Sequence, residues 1–586
     1  MKLKEIAHAR TGDKGDISNI SVIPYDEADY EWLKQELTAG KVKDYFSDIC
    51  HGDVVRYELE GIKALNFVMD HALGGGVTRS LALDRHGKTL GMALLEMEVE
   101  KGMEVMKDAK ETEGTENIGE PTKASGGKRI RIGSGAGYAG DRLEPALELL
   151  EKGNLDYIIF ECLAERTVAL GQQEKERNPE KGYNPLLEYR MRRALPLAAR
   201  NHVRIITNMG AANPRAAAYK VKQIAEELGL GGLKIACVTG DDITDRLQNY
   251  MDYSVLENQK KLGEMEEHLI SANAYLGAEG IVQALEQGAD VVITGRVSDP
   301  ALTVGPLQYE FGWDTEKNPE QMGQAVLAGH LLECAGQVTG GYYADPGYKE
   351  VPGLEHLGFP IIEMDAGGML TVTKAEGSGG CVTVDTCKEQ TVYEIHDPTA
   401  YLTPDAAADF SHVIYRQAGG NCVAARGAVS HGRPEKLKVS VGYKDCYIGE
   451  GEISYGGSGC LARARLAADI LEERIRAVGI ELEEFRVDYI GWNSLYGDKI
   501  TENLVRGNGN MITEDMLPEV RLRVSGRSRE RMMAELLADE VEALYTNGPA
   551  GGGGAVKQVS EIVSICSIFI PREDVQAKVS FLESHF

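Results

Sequence analysis

Five short clusters of polar residues, each at the end of an apolar run, carry the chemistry this chain could perform. Gly133-Ser-Gly135-Ala-Gly137-Tyr-Ala-Gly140-Asp141-Arg142 follows the run Arg129–Ile132 and leads into a helical pattern from Leu143. Glycines at such a strand-to-helix turn let backbone N–H groups approach an anion at the positive end of the helix dipole. Glu161 and Cys162, then Glu165 and Arg166, end the second run. Asn208-Met-Gly-Ala-Ala-Asn213-Pro214-Arg215 ends the third, Asp241 and Asp242 with Asp245 and Arg246 the fourth, and Gly295-Arg296-Val-Ser298-Asp299-Pro300 the fifth. Carboxylates, amides and guanidinium groups gathered at one sheet edge suit proton transfer on an anionic small molecule. Asp141, Glu161, Asn208, Asn213 and Asp299 are therefore the candidate catalytic residues. Gly133, Gly135, Gly137, Arg142, Arg166 and Arg296 are the candidate substrate-binding residues.

Each cluster also has a structural reading. Asn213 before Pro214 and Asp299 before Pro300 are what helix N-caps followed by first-turn prolines look like. The arginines could pair with neighbouring acids, and the glycines could serve close packing. Cys334, in Gly-His330-Leu-Leu-Glu333-Cys334, reads either as a nucleophile or as a buried helix cysteine. Gly135-Ala-Gly137-Tyr-Ala-Gly140 matches G-x-G-x-x-G, with Glu161 at the end of the next strand in the place of a ribose-binding acid. That keeps an NAD(P)-dependent oxidoreductase as an alternative, although Asp141 would repel a pyrophosphate. Convergent carboxylates at 141, 161, 241, 242 and 299 leave a divalent metal as a lesser alternative. Phosphate-loop, H-E-x-x-H, EF-hand and G-x-S-x-G patterns are not found.

The elements that position these clusters alternate strand and helix. The runs Arg129–Ile132, Asp156–Phe160, Val203–Thr207, Lys234–Val238 and Asp290–Thr294 are separated by helical patterns such as Leu186–Ala199 and Ala216–Leu228. Such repeats predict an α/β class with an open, mainly parallel sheet and helices on both faces. After about residue 340 the pattern turns to short glycine-rich β segments with two long helices, Leu461–Val478 and Arg529–Leu544, which predicts an α+β C-terminal subdomain. The expected divisions are 1–105, a linker over 106–128, 129–339 and 340–586. The linker is almost devoid of apolar residues. Residues 1–105 read as a small ferredoxin-like α+β domain, with strands near 19–23, 54–60, 80–83 and 90–98 and helices near 28–37 and 63–72. His8, Arg10 and Lys14 crowd its first polar turn and read as a lid for the substrate.

The 586 residues carry a net charge of −28, which opposes nucleic acid and anionic membrane as partners. No apolar run is long enough to span a membrane, and no signal peptide pattern opens the chain. Ten cysteines scattered without a C-x-x-C pair fit reduced thiols, so the expected location is cytoplasmic. A homo-oligomer is expected on general grounds.

IGSGAGYAGDRLEPALELLEKGNLDYIIFECLAERT, TNMGAANPRAAA, VTGDDI, GADVVITGRVSDPAL and ECAGQVTGGYYADP, with LGFPIIE, TPDAAADF and PAGGGG…IPREDV, resemble the acyclic terpene utilisation (AtuA) family over residues 128 to roughly 575. HARTGDKGDISNISVIPY, HGDVVRYE and ALNFVMDHALGGGVTRSLALDRHGKTLG resemble the small ferredoxin-fold domain that accompanies that family. In the usual fusion the large domain comes first; here the order is reversed, which implies that the two modules meet whichever is first and that the linker tethers them. The resemblance implies catabolism of branched unsaturated acids or their CoA esters, of the isoprenoid type. It carries over positions (Asp141, Arg142, Glu161, Glu165, Arg166, Asn208, Asn213, Arg296 and Asp299) without catalytic roles. Joined with the strand-end carboxylates, it leads to a hydro-lyase as the expected enzyme, needing no firmly assigned cofactor. An NAD(P)-dependent oxidoreductase and a non-catalytic acyl-CoA-binding or partner-binding subunit are the alternatives.

Overall fold

A computed structural model describes residues 1–100, 127–506 and 514–582. Most of the expected linker, 106–128, lies outside the described residues. By compactness the chain divides into two units. One joins the amino-terminal domain with the segment Tyr443–Ser564, and the other holds the run up to Gly442 together with the segment from Ile565. The boundary falls inside the long strands Lys436–Gly456 and Gly552–Pro571, so it does not follow the divisions expected from composition.

In the second unit all five expected strands form. Arg129–Ser134, Tyr157–Phe160, Arg204–Thr207, Ile235–Thr239 and Val291–Thr294 run parallel, in the spatial order first, second, third, fifth, fourth. The α/β class holds. The sheet is mixed, because strands beyond residue 340 extend it rather than building only a separate layer. Pro360–Asp365 pairs antiparallel with the first strand, then come Leu370–Lys374, Cys422–Arg426 and Ile414–Gly419, while Lys578–Phe581 closes the other edge.

Strand residues alternate between two helical layers. Ile158, Phe160, Ile205, Ile235 and Cys237 share a core with the helices Glu144–Lys152, Leu187–Asn201 and Pro214–Glu227. Val238 faces the opposite way, against Gly280 of the helix Glu279–Glu286, where a Cβ on the glycine would stand 2.5 Å from the valine. Both faces are therefore buried, which is why the strands read as unbroken apolar runs. A cavity of about 300 Å³ lies at the amino-terminal ends of the third and fifth strands, lined by Val203, Arg204, Asp290 and Val291 among others. Ligands of open parallel sheets bind at the other, carboxyl-terminal edge, where the polar clusters are.

In the first unit the small domain is a four-stranded antiparallel sheet, ordered Ala7–Lys14, Ile17–Pro24, Ala64–Met69, Val54–Leu59, with the helices Tyr30–Glu36 and Ala39–Tyr45. The segment read as a helix near 63–72 is the strand Ala64–Met69. It is an interior strand with almost every side chain buried, so it lacks the alternation that marks a half-buried one. Ala7–Lys14 is a strand that its polar composition concealed. Residues 80–83 are not a strand, and 90–98 holds the short helix Leu90–Leu94 instead of one. The expected long helices are present as Cys460–Val478 and Arg531–Asn547, packed on the antiparallel strands Glu519–Ser528 and Lys436–Gly456.

Candidate functional site

The fifth strand inserts between the third and the fourth, so the carboxyl ends carrying Glu161, Asn208, Arg296 and Asp241 come side by side. Neighbouring strands lie about 5 Å apart, which puts their first loop residues within side-chain reach. Glu161 is 8% exposed. Its Oε1 accepts hydrogen bonds from the Leu163 N–H and from Asn208 Nδ2, both at 2.9 Å, and Asn208 Oδ1 accepts from the Cys162 N–H at 2.8 Å. Burial, reinforced by the Asp299 charge, pushes the Glu161 carboxyl up to about 8, against the pull of those two donors and of Arg296. Desolvation thus favours the protonated form of Glu161.

Arg296 is fully buried and holds the other side of the site. One guanidinium nitrogen donates to the Leu163 carbonyl, another lies 3.1 Å from Asp299 Oδ1, and the group stacks 4.0 Å from the centre of the Tyr275 ring. Burial disfavours its charge, but Asp299, Tyr275, Glu165 and Glu161 outweigh burial and hold it charged. Asp241, 3% exposed, accepts the Arg296 N–H and Asn273 Nδ2 on one oxygen, each at 2.9 Å, and burial pushes it up to about 6. Its other oxygen lies where a Cβ at residue 295 would stand 2.6 Å away, so Gly295 is required at that approach. Tyr275 donates its hydroxyl proton to Glu165, which also lies 3.3 Å from Lys438.

Ser298 Oγ, Thr303 Oγ1, Arg296 Nε and Asn273 Oδ1 are buried at this edge without a hydrogen-bond partner among the described residues. Buried polar atoms are nearly always satisfied, so such a concentration marks a place where a ligand or water completes the bonding.

The remaining expected residues sit differently. Asp141 turns back on its own loop, accepting the Gly137 N–H at 2.9 Å and the Arg142 N–H at 2.8 Å. The Gly135 N–H donates to the Ile159 carbonyl, and a Cβ at residue 137 would stand 2.5 Å from the Cys334 carbonyl carbon. These amides are engaged within the protein, and the helix starts only at Glu144, so the turn lacks the geometry of a dinucleotide cradle. Gly133 lies in the first strand, against Leu149 and Leu155. Asn213 caps the helix Pro214–Glu227, accepting the Ala216 N–H at 3.3 Å, and donates to the carbonyls of Pro179 and Lys181. Arg142 and Arg166 are exposed. His8 and Arg10 are buried on the strand Ala7–Lys14 of the other unit, with His8 stacked on Tyr25, and Lys14 ends that strand half-buried. Among the described residues, no group of three or more His, Cys, Asp and Glu is arranged to hold a metal ion. Removing the Asp141 carboxylate with Asp141→Ala is expected to lower unfolding free energy by about 2 kcal/mol, the worth of two charge-assisted bonds to backbone amides, as measured by urea denaturation.

Ser271, Asn273 and Tyr275 escaped the motif reading, as did Lys438 and Ser440. They alternate along the paired strands Leu269–Ala274 and Lys436–Gly456 and just past the first. Polar residues at every second position of an otherwise apolar strand were the available signal.

The profile of the acyclic terpene utilisation family protein AtuA matches residues 130–581, and that of the AtuA ferredoxin-like domain matches residues 1–100. The chain belongs to the acyclic terpene utilisation family. Membership suggests involvement in the utilisation of acyclic terpenes. The match contains the whole strand-end cluster, Glu161, Asn208, Asp241, Arg296 and Asp299 included. No curated protein and no solved structure matches the chain. Among the described residues, no helix is long and apolar enough to cross a membrane.

Proposed function

We propose that this AtuA-family protein is a hydro-lyase that adds water to, or removes it from, a branched unsaturated carboxylate or its CoA ester. The observation that carries this reading is the carboxyl of Glu161, buried at the edge of the sheet beside Asp299 and held by the Leu163 N–H and Asn208, where burial favours its protonated form. Hydration of a conjugated acid needs a proton delivered to the carbon α to the carbonyl, and an acid with a value near 8 is charged with that proton at physiological pH. Asp299, its side chain 31% exposed, faces solvent beside the buried Glu161 and keeps the proton there by repulsion. The Ser298 and Thr303 hydroxyls supply donors for the oxygen on which negative charge develops. Arg296 serves this scheme by fixing Asp299 and the Leu163 carbonyl.

The test follows label from solvent. Incubation in deuterated water with a panel of branched enoic acids and their CoA esters, monitored by NMR, is expected to give hydrated product carrying deuterium at the α carbon. No exchange and no hydration across the panel overturns the proposal.

A further inference from the structure

Glu165, Tyr275 and Lys438 take no part in the scheme above, yet they hold the arginine that braces it. Tyr275 follows the strand Leu269–Ala274 and is 8% exposed. Its N–H donates to the Lys438 carbonyl at 2.8 Å. Just beyond it, the Leu276 N–H donates to the Arg296 carbonyl at 3.3 Å and the Ser298 N–H to the Leu276 carbonyl at 2.9 Å. The backbone at Tyr275 is thus fixed between the strand Lys436–Gly456 and the segment that carries Arg296 and Ser298. Its ring is the bed on which the Arg296 guanidinium lies, 4.0 Å from the ring centre. Lys438 Nζ stands 5.1 Å from the same centre.

The far end of that ring is tied to Glu165. The Tyr275 hydroxyl donates to Glu165 Oε1, and Lys438 Nζ lies 3.3 Å from the same oxygen. Glu165 opens the helix Glu165–Arg177, where the helix dipole favours a carboxylate. Its bond to the phenol governs where the Arg296 charge sits. One residue, Leu163, gives its N–H to Glu161 and its carbonyl to Arg296, and Asp299 pairs with Arg296 beside them. Arg296 Nε has no hydrogen-bond partner among the described residues. A guanidinium released from the ring has donors to spare for Glu161, and a cation there favours the carboxylate. The other charged groups around Glu161 are Asp299 after the fifth strand and Glu165 on its own loop, with Asp141 after the first strand and Arg190 of the helix Leu187–Asn201 behind Cys162. Asp241, after the fourth strand, holds the Arg296 N–H.

We propose that Glu165 and Tyr275 are positioning residues: the carboxylate fixes the phenol, the phenol ring fixes the Arg296 guanidinium on Asp299 and the Leu163 carbonyl, and the charge is thereby kept from Glu161. For the use of the Glu161 proton this rests on the hydration reading, in which the acid must stay protonated until it delivers to the α carbon. Both residues act through Arg296. A desolvated guanidinium over an aromatic face is held firmly enough for the ring to decide its place.

Three variants separate position from charge. Glu165→Ala removes both the bond and the charge, Glu165→Gln keeps an oxygen that accepts the Tyr275 hydroxyl, and Tyr275→Phe keeps the charge and loses the bond. The upper limb of the hydration pH profile is expected to move down by about half a unit or more in Glu165→Ala and Tyr275→Phe. In Glu165→Gln it is expected to stay near the wild-type position. A second readout needs no turnover. The infrared band of the protonated Glu161 carboxyl, isolated by subtracting the spectrum of each protein's Glu161→Gln counterpart, is followed across pH, and its midpoint is expected to move in the same pattern. Equal shifts in Glu165→Ala and Glu165→Gln, with none in Tyr275→Phe, would make Glu165 a distant charge and overturn the proposal. A midpoint unmoved in all three overturns it as well, and hydration by the wild type then leaves the hydro-lyase reading standing. Midpoints that move as expected in a protein that hydrates nothing refute that reading and leave the positioning role intact.

Discussion

Glu161→Gln is expected to lower hydration by about 10²- to 10⁴-fold, the range of a positioned acid or base, while the protein stays folded. Glutamine keeps the volume and an oxygen that can accept the Leu163 N–H and Asn208 Nδ2 bonds, so what is removed is the transferable proton. A second consequence distinguishes loss of that proton from a general disturbance. The Glu161 value is raised in the folded protein to about 8 from an ordinary 4.5. Between those limits the folded state holds a proton that the unfolded chain has released. The stabilising contribution is then fully present below the lower limit and is lost as pH rises through the upper one. Asp241, at about 6, and Asp405, pushed up by burial to about 7, slope the same way but remain in both proteins. Urea unfolding at a series of pH values from about 5 to about 8 should therefore show the wild-type advantage over Glu161→Gln shrinking as pH rises. Activity of the wild type should also decline above about pH 8, as the acid loses its proton. A variant as active as wild type, or a stability difference independent of pH, would remove Glu161 from the mechanism.

The parallel core was legible because its strands are buried on both faces and end in glycine, amide and carboxylate residues, a contrast that survives without any alignment. Arg129–Ser134 and its four partners stand within a residue or two of their expected bounds. The order of the strands was not legible. That the fifth lies between the third and fourth is decided by pairing across the sheet, and it is this insertion that sets Arg296 between Asn208 and Asp241. Motif reading ranked residues by type, and so gave Asp141 and Asn213 the same standing as Glu161. What separates them is what each side chain meets. Asp141 and Asn213 satisfy backbone groups of their own turns, whereas Glu161 is driven into a desolvated corner beside a like charge. The small domain was read less well, since Ala64–Met69 is buried on both faces, Asn66 included, and short enough for either period.

Arg296→Met is expected to cost about 1–3 kcal/mol of stability, measured by urea denaturation, because it strands the buried Leu163 carbonyl and takes the cation from the partly exposed Asp299. The methionine fills much of the space over Tyr275 but leaves the Leu163 carbonyl without its donor and Asp299 without its cation. It also withdraws the cation that restrained the Glu161 value, so the remaining activity should extend to higher pH than in the wild type. Arg296→Lys keeps a charge, yet a single ammonium cannot reach the Leu163 carbonyl and Asp299 in the same plane while lying flat on an aromatic ring, so an intermediate loss is expected. A double mutant separates these contributions. If the cost arises from stranded negative charge, Arg296→Met on an Asp299→Asn background should be less damaging by at least about 1 kcal/mol than on the wild type. Additive costs would mean that the arginine acts through packing and the Leu163 carbonyl alone. In that case the ion pair could not be what keeps Asp299 beside Glu161, and the proton on Glu161 would have to be attributed to burial without its neighbour.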